Sequence, residues 1–404
     1  MMRFKVSHVF FAALLWTLAV EAQSPASWRS LAQTQKALGF TEYVWNGDSV
    51  CLSNESHVIR FYQGRRKAEV NDTVVLLNAA PEGSVVAGDW RIATIDLDFL
   101  ELSILPRDCN AIKPLRVMLD AGHGGVDDGA CSRTPAVAEK ALTLDLALRV
   151  GQLLEGMGMQ VLYTRTNDVA VALDARARAA RKAEADAFVS IHANFASNTN
   201  ACGPETYVVT PAGFPGTSEG SRSRGFQIGN VNNFHNTLLG YSIQRHLVKV
   251  DPDVPDRGLK RQSFFVLREI SCPSVLVEVG FLSNEAETRK MLTTEWKDQC
   301  ALAIARGVIE YARKVDTLTL AVNEKRQRNT TVAKESAKTV VEQKKPVATP
   351  PPPTQAPIVT NAVVVAEPEK REEKVKPTPT DVPPPPLSKL PEDPQSIFDY
   401  HLKD

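Results

Sequence analysis

The chain has no charge excess. Its 404 residues carry 47 lysines and arginines against 47 aspartates and glutamates. A nucleic-acid binder shows a basic excess or a clustered basic face, so the electrostatic case for one falls away. No run approaches the roughly 20 apolar residues that span a bilayer, so no membrane span is expected. None of the six cysteines sits in a C-x-x-C pair, which argues against a zinc site built on thiolates. Proline is sparse outside the C-terminal tail, since 15 of its 26 copies lie between Pro346 and Pro394. The chain as a whole has a globular make-up, 43% hydrophobic and 23% charged. Without tail and leader it is long enough for one mid-sized domain and one small one.

Residues 1–22 read as an export signal. Arg3 and Lys5 form a basic start, Val9 to Val20 is apolar apart from Thr17, and Val20-Glu21-Ala22 supplies small residues for cleavage. The mature chain is therefore expected outside the cytoplasm, periplasmic or associated with the cell wall. No cysteine follows the apolar run, which disfavours a lipoprotein. In an oxidising compartment Cys51, Cys109, Cys131, Cys202, Cys272 and Cys300 would be open to disulfide formation. Cys51 with Cys109 is the expected pair, because both fall in one small segment.

Residues 25–110 read as a small β-rich domain. Short strands over 41–45, 49–52, 58–61, 67–70 and 73–77 are separated by Asn-Gly-Asp, Gln-Gly-Arg and Asn-Asp turn signals. His57 stands alone there and is read as structural. A connector over Pro106–Pro114 follows. From 115 to 314 strands alternate with helices: strands at 116–119, 159–164, 187–191, 205–209, 263–267 and 274–279, helices at 139–157, 173–184, 231–249 and 295–314. That alternation implies an α/β sheet with helices on both faces. Residues 315–404 lose apolar periodicity and read as a disordered tail rich in proline, lysine and glutamate.

Two strands run directly into a histidine set among small residues: Leu119-Asp120-Ala121-Gly122-His123-Gly124-Gly125 and Ser190-Ile191-His192-Ala193-Asn194. In an open α/β sheet, ligands bind beyond the carboxyl ends of the strands, where these histidines can meet. Glu139 opens the first long helix at the same edge. Two histidines and a glutamate make three protein positions of a catalytic zinc site and leave one for water. Glu278 lies in the apolar run 275–282, where a carboxylate is costly unless paired or used. Each group also has a plainer reading. A strand-end histidine is often structural, Glu139 favours a helix N-terminus in any case, and Glu278 could pair with Arg268 or Arg165. His235 and His246 lie on one helix and are read as partly exposed rather than as ligands.

Residues 116–314 resemble the catalytic domain of zinc-dependent N-acetylmuramoyl-L-alanine amidases, which trim bacterial peptidoglycan. The matching stretches are Leu-Asp-Ala-Gly-His-Gly-Gly-Val-Asp-Asp-Gly-Ala (119–130), Glu-Lys (139–140), Thr-Arg-Thr-Asn-Asp (164–168) and Ser-Ile-His-Ala-Asn (190–194). Arg-Gly-Leu-Lys (257–260), Phe-Val-Leu-Arg (265–268) and Pro-Ser-Val-Leu-Val-Glu-Val-Gly-Phe-Leu-Ser-Asn (273–284) continue the order. The resemblance implies a mixed, mostly parallel sheet of about six strands flanked by helices, a common size for an open sheet. It also implies that His123, Glu139 and His192 hold Zn2+, that Glu278 is the catalytic carboxylate, and that the substrate is the amide between N-acetylmuramic acid and L-alanine. Ala121 stands where the family usually has proline. The Gly/Ser/Arg-rich loop 211–230 lacks the apolar stripe of a plugging helix. Two other classes stay open: a zinc amidohydrolase acting elsewhere on the stem peptide, and a non-enzymatic wall-binding protein. Residues 25–110 would either hold the chain on the wall or on an envelope protein, or cap the catalytic domain. The Pro-rich tail would be a spacer or a further partner site.

Overall fold

The computed structural model describes residues 27–104, 115–217 and 225–315. The residues of the expected export signal, the 106–114 connector and the expected tail beyond residue 315 lie outside the described residues, as does Cys109. The described cysteines Cys51, Cys131, Cys202, Cys272 and Cys300 are free thiols. Among the described residues no helix is long and apolar enough to cross a membrane.

Strand β1 (Trp28–Ser30) leads into helix α1 (Leu31–Leu38). Ser30 caps the helix: its Oγ accepts from the Gln33 N–H at 3.3 Å, while Gln33 Oε1 accepts from the Ser30 N–H at 2.9 Å. An antiparallel meander follows, with β2 (Glu42–Trp45), β3 (Ser49–Ser53), β4 (Val58–Tyr62), β5 (Lys67–Val70) and β6 (Thr73–Leu76). The turn signals act as expected. Asn71 and Asp72 both take positive φ, 48° and 65°, between the paired Val70 and Thr73, the backbone of a two-residue type I′ hairpin. On β4 the side chains alternate, with Ile59 and Phe61 buried and Val58 and Arg60 exposed. Strand β7 (Arg91–Ala93) pairs with β1 and opens into α2 (Thr94–Ser103). The sequence pattern did not announce β1, β7 or the two helices.

The second part contains β8 (Arg116–Ala121), the hairpin β9 (Cys131–Arg133) and β10 (Ala136–Ala138), α3 (Glu139–Gly156), β11 (Gln160–Tyr163), α4 (Leu173–Lys182), β12 (Ala187–Asn194) and β13 (Glu205–Val208). A 3-10 turn (Ile228–Asn232) leads into α5 (Asn233–Leu247). Then come β14 (Leu259–Arg261), α6 (Phe265–Glu269), β15 (Ser274–Phe281), α7 (Glu285–Met291) and a last helix, α8, over 294–315. Six of these strands lie in the order β11-β8-β12-β15-β13-β14, all pairs parallel except β13 with β15. This is the mixed, mostly parallel sheet expected.

Alternate residues of the central strands feed two cores. Val117, Leu119, Val189, Ile191, Val275 and Val277 pack on one face with α3, α5 and α8. Met118, Phe188 and Leu276 pack on the other with Ala177 and Ala180 of α4 and Val266 and Leu267 of α6. Each fully buried large apolar side chain is worth about 1.5–3 kcal/mol relative to exposure. That second core explains one correction. The strand expected at 263–267 is helix α6, and the strand falls earlier, at 259–261. A five-residue apolar run has no period long enough to tell strand from helix.

The sheet does not stop at β14. Leu259 pairs with Val75 of β6 in parallel, so the six strands and the meander form one 11-stranded sheet. Side chains stitch the junction. Asp256 Oδ2 accepts from the Val74 N–H at 2.7 Å, the Tyr241 hydroxyl donates to the Val70 carbonyl at 3.2 Å, and Lys314 Nζ donates to the Ser103 carbonyl at 2.7 Å. Arg66 reaches the carbonyls of Pro215 and Gly216 at 3.0 and 2.9 Å. Deepest of all, Arg261 Nε donates to Asn78 Oδ1 at 2.6 Å beside the fully buried Asp96.

Candidate metal centre

His123 sits just past the end of β8, His192 near the end of β12, and Glu139 at the start of α3. Their ligand atoms all lie within 4.8 Å of one another. Glu139 is at the centre: Oε2 is 3.1 Å from His123 Nε2 and Oε1 is 2.9 Å from His192 Nδ1. Two backbone N–H groups fix the same carboxylate, Ala130 at 2.8 Å and Ala193 at 3.1 Å. Burial would raise its pKa, but the hydrogen bonds to His123 and His192 outweigh burial and hold the carboxyl well below its usual range. The Glu139 hydrogen bond likewise raises His123. The helix N-terminus favours the carboxylate as well, so the plain reading of Glu139 and the functional one describe the same placement.

Local backbone makes the approach possible. A Cβ on Gly122 would lie 2.4 Å from the His192 ring, so only glycine lets that imidazole close on the β8 end. His123 itself takes a positive φ of 61°, a strained conformation for a non-glycine residue. Two buried arginines brace that turn. Arg165 donates to the carbonyls of Ala121 and Gly122 at 3.0 and 2.7 Å. Arg176 donates to the carbonyls of Ala121 and His123, both at 2.7 Å, and to Asp120 Oδ1 at 2.5 Å. Arg165 is thus a backbone brace rather than a partner of Glu278. Arg268 lies beside Glu269, 3.4 Å away.

Glu278 sits opposite His192 in the parallel β12–β15 pair, and the register shifts between His192 and Asn194. Its Oε2 is buried with no hydrogen-bond partner. Desolvation, reinforced by the nearby Glu139 and Glu205 carboxylates, pushes its pKa well up. His123, Glu139, His192 and Glu278 line one cavity of about 440 Å³, together with Cys131, Asn194 and Phe195. The structure therefore brings together all four residues singled out in the sequence. His235 and His246 lie apart from them. His235 is buried rather than partly exposed, against the Tyr311 hydroxyl at 3.1 Å, and His246 Nε2 is 3.0 Å from Glu310. His57 Nδ1 meets the Asn71 side chain at 3.1 Å, as a structural residue would. The sequence reading missed Asp127, whose Oδ2 is 2.8 Å from His123 Nδ1. Its signal was the four-residue spacing from His123 within one loop.

Residues 117–310 match the family profile described as N-acetylmuramoyl-L-alanine amidase. The N-acetylmuramoyl-L-alanine amidase AmiA of Salmonella typhimurium is 34% identical over 221 residues, a match covering 48% of this chain and 75% of that enzyme. The chain belongs to the N-acetylmuramoyl-L-alanine amidase family. A second family member, LytC of Bacillus subtilis, is 33% identical over 197 residues, which span 49% of this chain but 35% of LytC. Among solved structures, the amidase AmiC2 of Nostoc punctiforme is 31% identical, covering 50% of this chain and 98% of that one at a TM-score of 0.42.

Proposed function

We propose that this chain hydrolyses the amide between the lactyl group of N-acetylmuramic acid and the L-alanine of peptidoglycan. In this reading His123, Glu139 and His192 hold Zn2+, Glu278 is the acid–base group, and the work is done after export, in the periplasm or at the cell wall. The observation that carries the reading is one cavity in which three ligand atoms converge beside an unpartnered carboxylate oxygen.

The donor set fits the ion. Two imidazoles and one carboxylate are ligand types zinc accepts, and three protein ligands leave a position open for water or substrate. Asp127 on the outer nitrogen of His123 is the kind of carboxylate partner that fixes a ligand imidazole and raises its basicity. When bound, the ion would polarise the scissile carbonyl and acidify a water molecule.

The protein's own residues do the rest. Glu278 lines the cavity and its Oε2 has no competing donor, so it is placed to accept a proton and return it to the leaving amine. The backbone N–H groups of Ala130 and Ala193 stop the Glu139 carboxylate from turning toward the substrate. The Arg165 and Arg176 braces keep the β8 turn fixed while the substrate binds. Attachment to the wall or to an envelope protein would fall to residues 25–110 or to the Pro-rich tail.

The test is metal analysis of the purified protein together with product analysis on purified wall. The reading requires bound zinc, intact glycan strands and new L-alanine amino termini. Cleavage at another stem-peptide bond would point to the other amidohydrolase class, and zinc-loaded protein with no released peptide would point to a binding protein.

A further inference from the structure

Arg257 has a guanidinium that the roles described so far leave half used. Its Nε donates to Glu205 Oε2 at 2.6 Å, and its guanidinium carbon stands 4.7 Å from the centre of the Phe281 ring. Those two contacts fix the plane of the group. The two terminal nitrogens take no partner among the described residues, and the side chain is 31% exposed. Glu205 is 1% exposed and serves as the anchor. Its other oxygen accepts from the Tyr207 hydroxyl and from Asn194 Nδ2, each at 2.7 Å, while Lys260 pairs with the same Oε2 that Arg257 holds. Asn194 lines the cavity that holds His123, Glu139, His192 and Glu278. A single hydrogen-bonded carboxylate thus separates the open fork of Arg257 from the wall of that cavity. Arg257 and Lys260 share this one carboxylate, so the charge of the Arg257 fork is only partly offset by Glu205.

We propose that the Arg257 fork is a subsite for a carboxylate on the peptide side of the substrate, an inference that rests on the amidase reading. A planar guanidinium with two free N–H edges matches a carboxylate in bidentate fashion, which a point charge does not. The charge also decides which half of the substrate belongs there. The glycan offers hydroxyls and acetamides, which are neutral, whereas the stem peptide carries free carboxylates. Because Nε and the ring face are already committed, the fork loses little freedom when it binds.

The test compares two soluble substrates on the zinc-loaded full chain: N-acetylmuramoyl-L-alanyl-D-glutamate, and the same compound with both carboxyls converted to carboxamides. Wild type should favour the acid in kcat/KM by about tenfold to a hundredfold, the range of a hydrogen-bonded ion contact, with the difference in KM. In Arg257→Gln that preference should collapse toward one. Arg257→Lys, which keeps charge but not the fork, should fall between. A wild-type preference near one overturns the proposal. So does a Gln variant that loses the same factor on both substrates, because that is the mark of an arginine that merely braces Glu205. A wild type that cleaves neither compound overturns the amidase reading, and the subsite with it. Should the Gln variant not fold, product inhibition of wild type decides: L-alanyl-D-glutamate must inhibit more strongly than its diamide, and equal inhibition overturns the subsite.

Discussion

Glu205 and Glu278 are cross-strand partners in the antiparallel β13–β15 pair, and their carboxylates meet opposite fates. Burial works against the charge on both. Glu205 overcomes it with Lys260, Tyr207 and Arg257, which hold its carboxyl below the usual range. At Glu278 burial, with the Glu139 and Glu205 carboxylates, outweighs the pull of Lys260; its Oε2 takes no hydrogen bond, and its carboxyl is pushed well up. Neighbouring carboxylates whose pKa values are pushed in opposite directions are a way one sheet separates a structural acid from a reacting one.

Glu278→Gln should therefore keep the fold and the metal yet lose hydrolysis, because the amide cannot accept the proton. Loss of a general base costs roughly 10² to 10⁴ in rate. Turnover within a few-fold of wild type, with zinc content equal, would remove Glu278 from the mechanism.

The histidines should behave differently. His123→Ala and His192→Ala each leave two protein ligands, so bound metal and activity should fall together. Asp127→Asn leaves every ligand in place but weakens the hold on the His123 ring. Its expected cost is roughly 10–100-fold in zinc affinity, read by competition with a chelator. Unchanged zinc affinity in Asp127→Asn would make that contact incidental.

Local chemistry is what the sequence discloses best. Turn residues such as Asn71 and Asp72, the alternation along β4, and histidines at strand ends are all written in neighbouring positions. Polar pairs between distant segments are not. Asp120 meets Arg176 and Ser190, Glu205 meets Arg257 and Lys260, and Asn78 meets Arg261 across long stretches of chain. No period or spacing announces such pairs, because each depends on the finished sheet. The joint between β6 and β14 was hidden for the same reason.

His235 gives a pH signature of stability. It is buried on α5, and burial pulls its pKa down to about 4, so it is neutral in the folded protein. In the unfolded chain it titrates near 6.5, which means that below about pH 6.5 the unfolded state binds a proton the folded state refuses. Its contribution to stability is therefore complete above that pH and is lost as the pH falls toward 4, by up to about 3 kcal/mol. His235→Asn should flatten this part of the profile while keeping a polar partner for Tyr311. Denaturant titrations at pH 7 and pH 5 check it, and an unchanged pH dependence in the variant would count against the assignment.

The junction between the meander and the sheet that carries the candidate metal site holds a buried ion pair. Arg261 and Asp96 are both fully buried, 3.8 Å apart, with Asn78 bonded to each. Burial pulls the Arg261 guanidinium down to about 10 and pushes the Asp96 carboxyl up, as expected of an ion pair held out of water. Such a pair adds little net stability, but losing one member strands the other at a cost of about 3–5 kcal/mol. Asp96→Ala should therefore destabilise the half with the candidate metal site as well as its own, although it is far from the cavity in sequence. Residues 115–315 expressed alone should also suffer, because β14 would lose its β6 neighbour and Arg261 its partners. An isolated fragment of this kind should aggregate or melt well below the full chain. These outcomes favour a cap over a free anchor for residues 27–104. Calorimetry separates the two: a cap requires one cooperative transition for the whole, lowered as a unit by Asp96→Ala. Two transitions, with only the first moved by the substitution, would show that the halves fold independently and that the shared sheet carries no coupling.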